Sequence, residues 1–143
     1  LERRFKAAKI QAVAVENLEK SQWEKLVWNI PFNGLSVAEG GVTTDVLLAT
    51  QEKENELRAL MVEVIAAARA QGLDLGDELI DFNIERTRPM GPYRTSSMLD
   101  FVAGREVEVA PIWEEPLRRA RAAGVEMPRT AELLRRIRAR LAR

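Results

Sequence analysis

The strongest periodic pattern in this chain lies between about Glu52 and Gln71 and predicts an amphipathic α-helix. Its apolar residues recur at i, i+3, i+4, i+7, i+8 and i+11, the spacing of one helical face. They are Leu57, Leu60, Met61, Val64, Ile65 and Ala68. Gly72 is well suited to end the helix. A helix with such a face needs partners to cover it, so the rest of the chain must supply them.

Several other segments also have helical spacing together with capping or breaking residues at their ends. They are a short turn at Val46–Leu48 and helices from Asp77 to about Arg88, Ser97 to Ala103, Pro111 to Ala123 and Thr130 to Leu141. Leu79, Ile80, Phe82 and Ile84 are the candidates for burial in the second of these segments. Only two pieces, Ile10–Val15 and the stretch around Val107, have the alternation of extended backbone. The sequence therefore predicts an all-α bundle of roughly six or seven helices.

Polar residues of one further segment, Trp23–Asn33, form a line. Lys25, Asn29 and Asn33 are four positions apart, which places an ammonium and two carboxamides on one side of a helix. Pro31 removes a backbone donor, so we expect a kink or an early end near it. The simpler interpretation is an amphipathic helix whose lysine and asparagines face water.

Composition excludes several kinds of site. The 143 residues suit one domain, and 22 basic residues balance 22 acidic ones, so no overall charge favours a nucleic acid or an anionic membrane. Cysteine and histidine are both absent, which leaves no thiolate or imidazole for a metal site, and we expect none. Proton transfer would fall to Lys, Asp, Glu or Tyr93. No apolar run is long enough for a membrane span, and a cytoplasmic setting is expected.

The glycine pattern bears on nucleotide binding, and the arginine pattern bears on nucleic-acid binding. The glycines form neither G-x-G-x-x-G nor a Walker loop, so this chain alone lacks the usual cradle for a pyrophosphate. Arginines are crowded at the C-terminus, which would suit a nucleic-acid arm. Leu133, Leu134, Ile137 and Leu141 form an apolar stripe on the same helix, however, so a solvated charged face is the better interpretation.

Four sequence blocks, in this order, resemble the C-terminal domain of the ketopantoate reductase (2-dehydropantoate 2-reductase) family. They are Trp23-x-Lys25-Leu26-x-x-Asn29-x-x-x-Asn33-x-Leu35, Ser96-Ser97-Met98-Leu99-Asp100, Gly104-Arg105-x-x-Glu108-Val109 and Ala123-Gly124-Val125-x-x-Pro128. The resemblance runs from about Ile10 to Leu141. It implies the helical bundle found in that family and in 6-phosphogluconate dehydrogenase-like proteins.

The resemblance also implies a function. Residues 1–143 would be a C-terminal substrate and catalytic domain, preceded by a Rossmann domain that binds NADPH. The enzyme would reduce ketopantoate to pantoate, or a related 2-keto acid, as in pantothenate biosynthesis. Lys25 would be the general acid, Asn29, Asn33 and Ser97 would bind substrate, and Glu108 would lie beside both cofactor and lysine. A homo-oligomer is expected, held by apolar surface around Ile10, Trp23, Ile30 and Trp113.

Some positions differ from the family pattern. Ala110, Trp113 and Glu114 stand where the family often has Asp and then Asn-Gly. These changes leave the reductase class intact but keep the substrate open. Taken without the resemblance, Ser97 could be a residue of a helix cap or first turn, and Glu108 an exposed edge residue. The alternative function is a helical dimerisation or interaction module without catalytic activity.

Overall fold

The computed structural model describes residues 2–142, with side chains from residue 6 onward, and all regular secondary structure in that range is helical. The α-helices are α1 (Glu2–Ala38), α2 (Thr44–Leu47), α3 (Gln51–Ala70), α4 (Glu78–Thr87), α5 (Ser96–Val102), α6 (Glu115–Ala122) and α7 (Pro128–Leu141). A 3₁₀ turn, Arg88–Met90, follows α4, and a π-helical turn, Ala110–Glu114, precedes α6. The predicted all-α class is confirmed.

The core forms where α3 and α7 pack against the C-terminal half of α1. All six residues of the periodic face of α3 are buried, as their spacing predicts. Thr50 caps α3 by accepting a hydrogen bond from the Lys53 backbone N–H at 3.2 Å. Trp23 and Trp113 are the largest fully buried side chains and fill the space between α1 and the π-helical turn.

Helix α1 is longer than the sequence suggests, with 37 residues. The predicted extended piece at Ile10–Val15 is wrong, since these residues lie within α1. A single extended segment would leave its N–H and C=O groups without a partner strand, whereas a helix pairs them within the segment. The helix does not end early near Pro31, because α1 continues to Ala38, and the other expected outcome, a kink, stays a prediction.

Packing explains why α1 continues past Pro31. Proline has no N–H to donate to the carbonyl of Val27, so the helix loses one of its own hydrogen bonds. Residues 30–38 are nevertheless all buried, and the indole Nε1 of Trp113 donates a hydrogen bond to the Ile30 carbonyl at 3.2 Å. Tertiary contacts thus hold this part of α1 helical, and Asn33 stays on the same helix as Lys25.

Two predictions about burial and one about secondary structure need correction. Phe82 is 60% exposed, whereas Ile84 of the same helix is buried, because α4 covers the core with one side only. The stretch around Val107 is not a strand, and residues 105–109 have no regular structure. Trp23, Ile30 and Trp113 are 1%, 0% and 0% exposed, so the expected apolar surface around them does not exist. Ile10, at 69% exposed, is the one member of that group on the surface.

Within residues 2–142, no helix combines the length and the apolar character that a bilayer crossing requires.

Candidate functional site

Lys25 and Asn29 lie one helical turn apart on α1 and line two grooves, one on each side of the helix. Lys25 is exposed and Asn29 is half-buried. No carboxylate of residues 6–142 forms an ion pair with Lys25. Lys25 therefore lines both grooves and is exposed to a ligand in either.

The first groove, which we call the α6-side groove, has a volume of about 380 Å³. It is lined by Gln22, Trp23, Lys25, Leu26 and Asn29 of α1 and by Pro111, Ile112, Glu115, Pro116 and Arg119. The hydrogen bond from Arg118, followed by that from Arg119, lowers the pKa of Glu115 to about 2. Glu115 is therefore ionised at neutral pH, and its charge offsets that of Arg119 in the groove wall.

The second groove, the α4-side groove, has a volume of about 250 Å³. It is lined by Lys25, Trp28, Asn29, Arg86, Met90 and Tyr93. The Trp28 ring stacks on Phe32 at 4.9 Å between centroids, and Tyr93 meets it edge-on at 6.3 Å. The indole Nε1 of Trp28 also donates to the Thr87 hydroxyl at 2.9 Å. These contacts give the groove a fixed aromatic wall.

The three predicted substrate-binding residues are joined by hydrogen bonds. Asn33 donates through Nδ2 to Oδ1 of Asn29 at 3.1 Å. Its own Oδ1 accepts the Ser97 backbone N–H at 3.0 Å and the Ser96 hydroxyl at 3.4 Å. Asn33 and Ser97 are both buried, at 2% and 3% exposed. The structure thus brings Asn29, Asn33 and Ser97 together where α1 meets the start of α5.

The cap of α5 is Thr95, whose hydroxyl oxygen accepts the Met98 N–H at 3.2 Å. Ser97 lies in the first turn and does not cap the helix through its side chain. Its hydroxyl makes no hydrogen bond with any group in residues 2–142. The Ser97 hydroxyl is consequently not committed to holding the helix end.

Glu108 is exposed and lies in the irregular segment between α5 and the π-helical turn. Pro111 and Ile112, which follow it closely, line the α6-side groove with Lys25, so α1 packs beside the π-helical turn that comes after Glu108. Glu108 and Lys25 form no ion pair in the described part of the chain. The pairing of the two in catalysis stays a prediction.

Trp113, one of the departures from the family pattern, belongs to the core. It is 0% exposed, and its indole holds the Ile30 carbonyl as described above. Ala110 and Glu114 are exposed residues of the same π-helical turn, and Glu114 pairs with Arg138 of α7 at 3.1 Å. Trp113 and Glu114 therefore anchor the turn to α1 and α7.

Three residues that line the α4-side groove, Trp28, Arg86 and Met90, were not predicted as site residues from the sequence. Trp28 could have been found, since it lies three positions after Lys25 and so shares its side of the helix. Arg86 and Met90 come from another part of the chain, and no local pattern points to them. Within residues 2–142, no three acidic side chains are grouped closely enough to hold a metal ion.

Comparison with known proteins identifies relatives of this chain. The family model described as "Ketopantoate reductase PanE/ApbA C terminal" matches residues 17–141. A 2-dehydropantoate 2-reductase from Nostoc sp. is 40% identical over 124 residues, which are 87% of this chain and 39% of that protein.

Solved structures agree with this match. A crystal structure of 2-dehydropantoate 2-reductase from Geobacter metallireducens superposes with a TM-score of 0.82 at 39% identity, covering 85% of this chain and 41% of that one. A dimeric ketopantoate reductase from Staphylococcus aureus gives a TM-score of 0.75 at 25% identity, covering 84% and 42%.

The chain spans about two fifths of the length of these relatives. The match with the family model covers most of the chain and includes Lys25, Asn29, Asn33, Ser97 and Glu108. This chain belongs to the family of ketopantoate reductase PanE/ApbA C-terminal domains.

Proposed function

We propose that this chain is the substrate and catalytic domain of an NADPH-dependent 2-keto acid reductase that acts on 2-dehydropantoate or a related acid. The observation that carries the proposal is the position of Lys25. Lys25 has no ion-pair partner among residues 6–142, and it lines both grooves together with Asn29, which is hydrogen-bonded to Asn33 and through it to Ser97. The relatives named as 2-dehydropantoate 2-reductases support the choice of substrate.

The chemistry of the proposed reaction suits these side chains. When NADPH is bound, it supplies a hydride to the ketone carbon of the substrate. Negative charge then grows on the carbonyl oxygen, and a positively charged proton donor stabilises it where it develops. Lys25 is proposed for this role because it is the lysine of the Trp-x-Lys-Leu block, which the family resemblance identifies as the general acid, and the chain contains no histidine that could replace it. It would transfer its proton from Nζ to the alkoxide and leave an alcohol.

The remaining site residues would bind and orient the substrate. Asn29 is held by Asn33, and the Ser97 hydroxyl is free of other hydrogen bonds in the described part of the chain. Such fixed polar groups lower the cost of placing the ketone beside Lys25. Glu108 is proposed to approach Lys25 and the cofactor when the domains close and to orient the ammonium.

The cofactor fits this chain only in part. Its phosphates need a glycine-rich loop that the sequence does not contain, so we propose that they bind to a preceding Rossmann domain. The α6-side groove, with Leu26, Pro111 and Ile112 in its wall and Lys25 at its edge, suits the flat nicotinamide end. The 143 residues alone are therefore proposed to be inactive.

Assembly and setting are proposed from the relatives. The S. aureus ketopantoate reductase is dimeric, and we propose that the full-length protein is a homo-oligomer as well. A cytoplasmic enzyme of pantothenate biosynthesis would fit the balanced charge and the lack of cysteine.

A reductase assay of the full-length protein tests the proposal. With NADPH and 2-dehydropantoate, we expect oxidation of NADPH in proportion to pantoate formed, and slower turnover of other 2-keto acids. A full-length protein that oxidises NADPH with none of these acids would contradict it. That result would favour the alternative of a helical interaction module.

A further inference from the structure

We infer that Arg86 is a substrate-binding residue, and that the α4-side groove binds the carboxylate of the 2-keto acid. The inference rests on the proposed function and names the part of the site that selects an anionic substrate. It depends on three features of Arg86: how its side chain is held, which of its donors are free, and which charges surround the groove.

The guanidinium of Arg86 is held in place from several sides. Its Nε donates to Oδ1 of Asn83 at 2.8 Å, and its central carbon lies 5.7 Å from the centre of the Trp28 ring and 5.6 Å from that of Phe82. Asn83 is itself 2% exposed and fixed by donating to the Leu79 carbonyl at 2.8 Å. An arginine that is already oriented loses little entropy when it binds a ligand.

The terminal NH₂ groups of Arg86 remain available. Neighbouring arginines form ion pairs with acidic residues. Arg88 pairs with Glu54 and Glu85, and Arg58 pairs with Glu54 and Asp81. Arg86 forms no ion pair with any carboxylate of residues 6–142 and donates only through Nε, to Asn83. Its two NH₂ groups can therefore bind both oxygens of a carboxylate, a geometry that arginine favours.

The charge of the two grooves decides where an anion would bind. In the α6-side groove, Arg119 is paired with Glu115 at 3.3 Å. The α4-side groove has Lys25 and Arg86 in its wall and no acidic residue. Two cations without a nearby carboxylate attract an anion, so the α4-side groove is the better place for the substrate carboxylate.

The size and the walls of the α4-side groove limit the substrate further. A volume of about 250 Å³ suits one small acid, and Trp28, Met90 and Tyr93 offer it apolar contacts. Lys25 and Asn29 line the same groove from α1, and the keto group would lie beside them. The substrate class that fits is a 2-keto acid with a compact, partly apolar substituent.

The test compares an acid with its uncharged analogue in the full-length protein. Arg86→Gln should raise the KM for 2-dehydropantoate about 10- to 100-fold, because a charge-assisted carboxylate contact is lost. The KM for the neutral lactone of the same compound and the KM for NADPH should not change. Arg86→Lys, which keeps the charge but loses the paired donors, should give an intermediate KM for the acid.

The matched control is Arg121→Gln, an exposed arginine on α6 that lines neither groove. It should leave both KM values as in the wild type. An unchanged KM for the acid in Arg86→Gln would overturn the inference. An equal rise in the KM for the acid and for the lactone would also overturn it, since that pattern indicates a merely structural role. A lowered melting temperature and a changed circular dichroism spectrum of Arg86→Gln would point to the same structural role.

The experiment also separates this inference from the proposed function. If the wild-type protein reduces no 2-keto acid with NADPH, the proposed function fails. Calorimetric titration of wild type and Arg86→Gln with 2-dehydropantoate then decides the inference on its own. Weaker binding to the variant would support the carboxylate site, and equal binding or no binding to either protein would overturn it.

Discussion

The side-chain oxygen Oδ1 of Asn33 accepts the backbone N–H of Ser97 at 3.0 Å, and this hydrogen bond joins α1 to the start of α5 across 64 positions. Both residues are buried, so the bond is sheltered from water. It fixes the position of Ser97 relative to Lys25 and Asn29, which lie on the same helix as Asn33. The residues proposed to bind substrate thus share one rigid support.

The Asn33 amide should matter for both stability and substrate binding. Asn33→Ala would leave the Ser97 N–H buried without a partner, at an expected cost of about 1–3 kcal/mol in the free energy of unfolding. Urea unfolding of the chain measures this cost. Asn29→Ala is the matched control, since Asn29 is half-buried and bonded to Asn33 alone, and it should cost less. Equal costs for the two variants would argue against the role of the Ser97 contact.

Gly34 is a second position where α1 is constrained by its neighbours. In a helix interior alanine is normally better than glycine by about 1 kcal/mol. Here an added Cβ would lie 2.5 Å from Cδ2 of buried Leu133 and 3.0 Å from Nε1 of Trp113. Overpacking should outweigh the helix propensity, so we expect Gly34→Ala to destabilise the chain by roughly 1–2 kcal/mol.

A double-mutant cycle checks the cause of that loss. Leu133→Ala removes the atoms nearest to the new methyl group, so Gly34→Ala should cost less in the Leu133→Ala background than in the wild type. Strictly additive free energies would show that the two side chains do not compete for this space.

Acid should destabilise the contact between α3 and the end of α4. Hydrogen bonds from Arg88 and Arg58 hold the pKa of Glu54 below its ordinary value of 4.5, against the opposing effect of burial. The unfolded chain therefore takes up this proton first. The stabilisation is complete above about pH 4.5 and is lost as the pH falls through the lower pKa of the folded state.

Urea unfolding between about pH 3 and 7 measures this dependence. Glu54→Gln should make the free energy of unfolding fall less steeply with acid than it does in the wild type. Glu52→Gln, an exposed residue of the same helix, should retain the wild-type slope. A Glu54→Gln variant with the wild-type slope would show that other groups cause the acid sensitivity.

Sequence reasoning succeeded where a local pattern decides the structure. The buried face of α3 and the end of α7 at Leu141 agree with the local sequence pattern. It failed where a segment depends on distant partners. Ile10–Val15 alternates like a strand but has no strand to pair with in residues 2–142, and α1 passes Pro31 because buried neighbours hold it.

In the candidate site too, features set by local spacing could be predicted, and features set by distant contacts could not. The line of Lys25, Asn29 and Asn33 follows from a spacing of four, and their meeting with Ser97 agrees with what the family resemblance implies. The α4-side groove could not be predicted, because Arg86 reaches it only through the packing of α4 against α1. Contacts between residues distant in sequence leave no periodic signal that a single sequence can show.

The turnover number of a Lys25→Met variant of the full-length protein tests the central claim most directly. Methionine keeps much of the side-chain volume but removes the ammonium, so the fold should be preserved while the proton donor is lost. We expect kcat with 2-dehydropantoate to fall by about 10²- to 10⁴-fold. Lys20→Met, on the same helix but in neither groove, should keep the wild-type kcat. A Lys25→Met variant that turns over at the wild-type rate would contradict the account.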